Sequence, residues 1–357
     1  MTYFKLVHRG DKLTAVPEWH SRFKRKRVYN GCYEAHCPAG DDVQFIEIHG
    51  LVYSNLLFVH ANLGIQRYFL SKLPPTFRNQ MNFFKRPIDE MPDQGTEQHA
   101  QYANAAPFPH IVMDDFFNAD ALRSLLPEFP ELGKEAGDIN YVNPNESKFA
   151  SKGEGRLGPG ARVLVHLLNS QPFLEYLQNL TGIKETLVPD PYLEGGGYHQ
   201  IKPGGFLKVH VDFHKHRLMN LDRRINVLVY LNEDWKEEYG GHFELWERDM
   251  SKCAVRIAPL FNRMAIFSTT DYSWHGHPDA LTCPPDRSRR SLALYYYTNG
   301  RPADEISPEN RTRITTTFTA REGVDSSEMK RYNGLVNFAN DVLPPFAVRL
   351  IKKFRKG

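Results

Sequence analysis

Seven of the fifteen histidines fall between positions 199 and 277, and one short segment there has the most chemistry to offer. It is FLKVHVDF (206–213). On a strand, side chains alternate between two faces. Leu207, Val209, Val211 and Phe213 then share one face, and Lys208, His210 and Asp212 share the other. The strand presents an imidazole and a carboxylate side by side. That is two thirds of a 2-His-1-carboxylate facial triad, a ligand set that leaves positions on iron open for substrate and O₂. An H-x-D pair alone is a weak signal and needs a third donor. SWHGHP (273–278) supplies two candidates, His275 and His277. Downstream, RSLALYYY (290–297) offers a cation at the start of a strand. On a period of two, Arg290, Leu292, Leu294 and Tyr296 share a face, so the register that turns the leucines inward turns Arg290 inward and Arg289 outward. A buried arginine holds a carboxylate through two parallel hydrogen bonds.

The elements that must position these groups are short strands. From 186 to 298 the chain reads as YHQIK, FLKVHVDF, INVLVYLN, GHFELWE, RMAIFS and RSLALYYYT, separated by turns. Helical patterns precede them: NADALRSLLPEF (118–129) opens on an Asn suited to an N-cap, and ARVLVHLLNSQPFLEYLQNLTG (161–182) reads as one or two amphipathic helices. Helices followed by many short strands predict an all-β barrel or jelly roll buttressed by helices. The Pro-, Gln-, Asn- and Asp-rich stretch 73–107 reads as a linker or long surface segment, and 137–160 as a Gly- and Asn-rich loop. Three regions follow: an N-terminal α+β accessory region (1–105), a mostly β domain (106–303) and a C-terminal tail with a basic helix (304–357).

The order of H-x-D, distal His and Arg resembles the 2-oxoglutarate/Fe(II) oxygenases, in particular their prolyl-4-hydroxylase-like branch. The resemblance covers roughly 106–300. It is carried by PFPHIVMDDFF, PGGFLKVHVDF, RRINVLVYLNEDW, YGGHFELWE, IAPLFNRMAIFSTTD and SWHGHP followed by RRSLALYYY, in that order. PDALTCPPDRS (278–288) reads as an inserted loop.

The resemblance implies a double-stranded β-helix, with His210, Asp212 and His275 as iron ligands. It implies Arg290 as the partner of the distal carboxylate of 2-oxoglutarate, with Tyr230 on the same carboxylate. His277 is then a neighbour of the site rather than a ligand. Fe(II), 2-oxoglutarate and O₂ are the implied cofactor and co-substrates, with ascorbate as an optional reductant. The implied reaction is hydroxylation of an unactivated C–H bond in a small molecule or peptidyl residue, with desaturation or oxidative cyclisation as alternatives. The retained Asp212 disfavours halogenation, for which relatives carry Gly or Ala there. The competing class, a non-enzymatic jelly-roll binding module, has no use for His210, Asp212, His275 and Arg290 together. His214 and His216 are expected either at the substrate mouth or in a solvated loop. His242 is expected to be structural, and Trp235 and Trp246 core.

Bulk composition agrees with an ordinary globular protein: 41% hydrophobic, 24% charged, net charge +3. So mild a charge does not argue for nucleic acid. The basic runs RFKRKR (22–27) and RLIKKFRKG (349–357) read as solvated. Four scattered cysteines suit a reducing compartment, and Cys32 and Cys37 lack the further ligands a zinc site needs. With neither an apolar leader nor a long apolar run, a cytoplasmic location without a transmembrane segment is expected. The apolar runs VQFIEIHGLVY (43–53) and SNLLFVHANLGI (54–65) predict that the N-terminal region is folded, with a role in recognition or, failing that, a homodimer contact.

Overall fold

The computed structural model describes residues 82–325 and 327–342, together with short strands at 4–9, 12–17, 52–53 and 56–57. Two compact units result, Met1–Asn79 and Gln80–Gly357. In the first, β1 (Phe4–Arg9) pairs antiparallel with β2 (Lys12–Pro17), and β3 (Val52–Tyr53) with β4 (Leu56–Leu57). The remaining apolar runs of that region lie outside the described residues.

The second unit begins with α1 (Met91–Ala103), β5 (His110–Asp114) and the short α2 (Ala119–Arg123). Then come β6 (Asp138–Asn143), β7 (Glu146–Ser151), α3 (Pro159–Leu168) and α4 (Gln171–Thr181). The strands continue with β8 (Val188–Pro189), β9 (Gly197–Ile201), β10 (Phe206–Val211), β11 (Asp222–Tyr230) and β12 (Phe243–Trp246). β13 (Cys253–Ile257), β14 (Arg263–Ser268), β15 (His275–His277), β16 (Arg289–Thr298), β17 (Thr317–Phe318) and α5 (Ser327–Val342) complete it.

One antiparallel sheet runs in the order β13-β12-β15-β10-β7-β9-β16-β11-β14-β5. From β10 onward the chain alternates between its two ends: β10 beside β15, β11 beside β16, β12 beside β15 again, β14 beside β11. The sheet folds over so that its two ends share one core, in which Phe108, Tyr230, Phe243, Leu245, Ile257, Ala265 and Phe267 pack together. This is the expected jelly roll, a nearly closed barrel with few helices.

The helices cover its outer face. Tyr296 of β16 donates to the Leu168 carbonyl at the end of α3, and its ring meets Phe173 of α4. Asn118 caps α2 through its side-chain oxygen, which accepts from the Asp120 and Ala121 amides.

Two stretches differ from the sequence expectation. The supposed linker contains α1, which buries only Met91, Gly95 and Tyr102, a stripe too narrow for the composition of MPDQGTEQHAQYA to reveal. Tyr102 reaches Ser268 of β14, 2.8 Å away. Gly95 is where α1 meets α4: an added Cβ would stand 2.3 Å from the Tyr176 carbonyl oxygen. Gly95→Ala is therefore expected to lower stability by about 1–3 kcal/mol, because backbone must move to admit it. Gly334→Ala, in α5 with open space around the site, serves as the control. Urea unfolding of the two variants checks this. The second stretch is the supposed loop 137–160, which holds the β6–β7 hairpin.

Residues beyond 304 also contribute to the barrel. β17 pairs with β10, placing Phe318 opposite His210. Lys208 and Arg321 both bond to the buried Asp325.

Candidate metal and oxo-acid site

His210 lies on β10 and Asp212 just past its end. The strict alternation expected for this segment is broken by a bulge. Leu207 pairs with His277 but His210 pairs with His275, so β10 holds one extra residue in between. The bulge sends Lys208 toward the Pro278 carbonyl and Asp325. His275 is clasped between β10 and β12, opposite His210 on one side and Leu245 on the other.

His210, Asp212 and His275 converge. One donor atom from each lies within 4.8 Å of the others, and all three residues are buried. The imidazole rings are 4.3 Å apart between centroids. Each has its Nδ1 tied to a backbone carbonyl two residues back, His210 to Lys208 (2.8 Å) and His275 to Ser273 (2.7 Å). Those bonds put the proton on Nδ1 and leave the Nε2 lone pair free, the arrangement metal-ligating histidines adopt. Phe243 and Phe267 flank the His275 ring.

Asp212 is held from the other side. Its Oδ2 accepts from Asn226 Nδ2 (2.7 Å) and faces Arg223 Nη2 (3.1 Å), while His210 Nε2 stands 3.8 Å from Oδ1. Arg223 is 1% exposed, with its guanidinium over the rings of Tyr295 (3.5 Å) and Phe213 (4.5 Å).

The charges agree with this geometry. Burial, helped by His275, holds the His210 imidazole down at about 3, against the pull of Asp212. Burial likewise depresses His275. Burial alone would raise Asp212, but Arg223, the two imidazoles and Asn226 together pull it well below the ordinary carboxylate range. At neutral pH the cluster is two neutral imidazoles and a carboxylate, the protonation state a divalent cation requires. The donor set fits Fe(II).

The arginine expected in the site is not there. Arg290 lies half-buried on the other face of β16, its Nε donating to Ser288 (3.2 Å) and its guanidinium over Phe129. Arg289 faces the barrel interior instead and is 4% exposed. It donates through Nε to the Gly241 carbonyl (2.8 Å) and lies 3.5 Å from the Tyr230 hydroxyl. Among the described residues no carboxylate pairs with it. Gly241 makes the approach possible, since a Cβ there would meet the Arg289 side chain at 3.0 Å. Alternation alone cannot fix the register here, because β16 is buried on both faces. Leu292, Leu294 and Tyr296 are the outer face packed under the helices, whereas Arg289, Ser291, Ala293 and Tyr295 line the interior. Tyr230 lies opposite Ser291, with its hydroxyl 3.5 Å from Arg289.

Other residues sort clearly. His214 and His216 are both buried, His214 with its Nε2 hydrogen-bonded to Asp271 (2.8 Å) and against Arg313, His216 with its Nε2 3.2 Å from Asp190, and so belong to neither a mouth nor a solvated loop. His242 bonds to Glu237, and Trp235 is core, whereas Trp246 is half-buried. Arg223, Asn226 and Lys148 escaped the sequence reading. Lys148 lies on β7 opposite Tyr141, with its Nζ 3.4 Å from Glu146, and its charge acts on His210. An NPN turn between YV and FA was the available hairpin signal.

The interior of the barrel thus holds three donors that could take a metal ion and a buried guanidinium that pairs with no carboxylate among the described residues. Residues 196–297 match the 2OG-Fe(II) oxygenase superfamily. The match runs from β9 to the end of β16 and includes the three donors and Arg289. The family resemblance read from the motifs is borne out, and the expected cofactors, Fe(II) and 2-oxoglutarate, are those the family is named for. No curated protein gives a significant match. Among solved structures, a prolyl-4-hydroxylase from Pseudomonas putida is 17% identical, over 58% of this chain and 100% of its own, with a TM-score of 0.43. A Trichoplax adhaerens prolyl hydroxylase, in complex with a hypoxia-inducible-factor peptide fragment, is 18% identical over 58% of this chain and 91% of its own, TM-score 0.44. HygX from Streptomyces hygroscopicus, with nickel, 2-oxoglutarate and hygromycin B bound, is 14% identical over 63% and 98%, TM-score 0.41. Among the described residues, no helix is long and apolar enough to cross a membrane.

Proposed function

We propose that this chain is a 2-oxoglutarate-dependent Fe(II) dioxygenase that hydroxylates an unactivated C–H bond, with His210, Asp212 and His275 holding the metal. The observation that carries the reading is the buried cluster of two neutral imidazoles and one carboxylate, each oriented from behind. Bound there, Fe(II) supplies the O₂ chemistry by which 2-oxoglutarate, O₂ and R–H become succinate, CO₂ and R–OH.

The chain's own residues do the placing. Arg289, a buried cation with no counter-ion among the described residues, takes the distal carboxylate of 2-oxoglutarate, and the Tyr230 hydroxyl joins it. This role was assigned to Arg290 on sequence grounds and passes to Arg289 with the register. Arg223 and Asn226 keep one oxygen of Asp212 occupied and leave the other for the metal. The aromatic walls, Phe243, Phe267 and Tyr295, exclude water from the reacting centre.

The substrate is a small molecule or a peptidyl residue, and residues 1–105, outside the family match, take part in choosing it. Removing the separate unit 1–79 should then alter substrate turnover while leaving co-substrate binding intact. Product analysis separates hydroxylation from desaturation or ring closure.

Anaerobic calorimetry tests the core of the reading. The protein loaded with Mn(II) should bind 2-oxoglutarate, and metal-free protein should bind it far more weakly. Equal binding with and without metal would sink the proposal.

A further inference from the structure

His277 stands two residues beyond His275 on β15, on the same face, with Leu207 as its cross-strand neighbour. It is 3% exposed, and neither ring nitrogen has a hydrogen-bond partner. Among the described histidines this is singular. His199, His210, His214, His216, His242 and His275 each have a ring nitrogen bonded. An imidazole carries at least one N–H in either protonation state. Buried polar groups in folded proteins nearly always find a partner, and one that does not calls for a missing ligand or water. A histidine kept for packing would be bonded like its neighbours, and His277 stands outside the metal cluster.

The surroundings say what the partner is. The charges acting on the His277 ring are those of Arg289, then Lys148, then His210. Among the described residues the Arg289 side chain bonds to the Gly241 carbonyl and the Tyr230 hydroxyl alone. Lys148 is ion-paired with Glu146 at 3.4 Å, so the cation left without a carboxylate among the described residues is Arg289. This wall of the barrel has more donors than acceptors, which suits an anion.

We infer that His277 selects the co-substrate: its N–H joins Arg289 on the distal carboxylate of a dicarboxylic 2-oxo acid. The inference rests on the oxygenase reading above and adds a third partner to the distal carboxylate, beside Arg289 and Tyr230.

Two acids of equal chain length separate the possibilities. 2-Oxoglutarate has the distal carboxylate; 2-oxovalerate has a methyl group in its place. Binding of each to Mn(II)-loaded protein is measured anaerobically by calorimetry for the wild type, His277→Val and His277→Gln. The valine variant should bind 2-oxoglutarate about 10- to 100-fold more weakly, the loss of a hydrogen bond to a charged group, and 2-oxovalerate within about twofold of wild type. The glutamine variant, which keeps a donor, should recover part of the loss. Undiminished 2-oxoglutarate binding by the valine variant overturns the inference. So does an equal loss for both acids, the sign of a merely structural role. A wild type that binds neither acid in the presence of Mn(II) overturns the oxygenase reading instead, and the two failures are told apart by that control.

Discussion

His210→Ala and Asp212→Ala are each expected to weaken divalent-metal binding by on the order of 100-fold or more, beyond the 10- to 100-fold typical of residues that only support a ligand. With three protein ligands, losing one removes a third of the donor set. For Asp212 the loss also strips the only anion from the cluster and leaves the buried guanidinium of Arg223 without its carboxylate. Asp212→Ala should therefore cost folding stability as well, in the range of about 3–5 kcal/mol seen when one partner of a buried pair is removed. His210→Ala should cost mainly metal. Titration of metal-free protein with Mn(II) or Co(II), alongside chemical denaturation, reads both effects. Wild-type metal affinity in the two variants would remove the cluster from consideration.

Arg289→Ala is expected to weaken 2-oxoglutarate binding by roughly 2–5 kcal/mol, the cost of leaving a buried carboxylate without its charged partner. Arg290→Ala should change it little, since that side chain lies over Phe129 on the helix-covered face. The two adjacent substitutions form a sharp test of strand register. A secondary outcome follows from burial: Arg289 pairs with no carboxylate among the described residues, and its pKa is lowered chiefly by desolvation. Removing it should not destabilise the unliganded protein through lost charge pairing, so any fall in melting temperature measures its hydrogen bond to the Gly241 carbonyl and its packing over Tyr230. Binding isotherms and thermal melts of both variants check these points.

The convergence of His210, Asp212 and His275 was legible because its signals are local. H-x-D on a strand fixes two donors on one side of the chain, and the bulge before His210 shifts Lys208 without separating the pair. The arginine was illegible in register for a physical reason. A strand buried on both faces shows no polar side, so RRSLALYYY offers two equivalent readings, and only the helices packed on Leu292, Leu294 and Tyr296 decide between them. The β6–β7 hairpin was hidden because its inner residues are themselves charged: Glu146 and Lys148 point toward the site and read, in sequence, as loop. α1 was hidden for the converse reason, since three buried residues suffice to dock it. Arg223 and Asn226 gave no signal, because orienting Asp212 is a property of how β10 and β11 meet in space.

The central claim is tested most directly by incubating the Fe(II)-loaded protein with 2-oxoglutarate in air and following both products. The account expects slow conversion even without the prime substrate, with succinate and CO₂ released in equal amounts. That conversion should be lost without Fe(II), without O₂, and in His210→Ala. Fully Fe(II)-loaded wild-type protein that leaves 2-oxoglutarate unbound and unconsumed, or a His210→Ala variant that consumes it at the wild-type rate, would contradict the account.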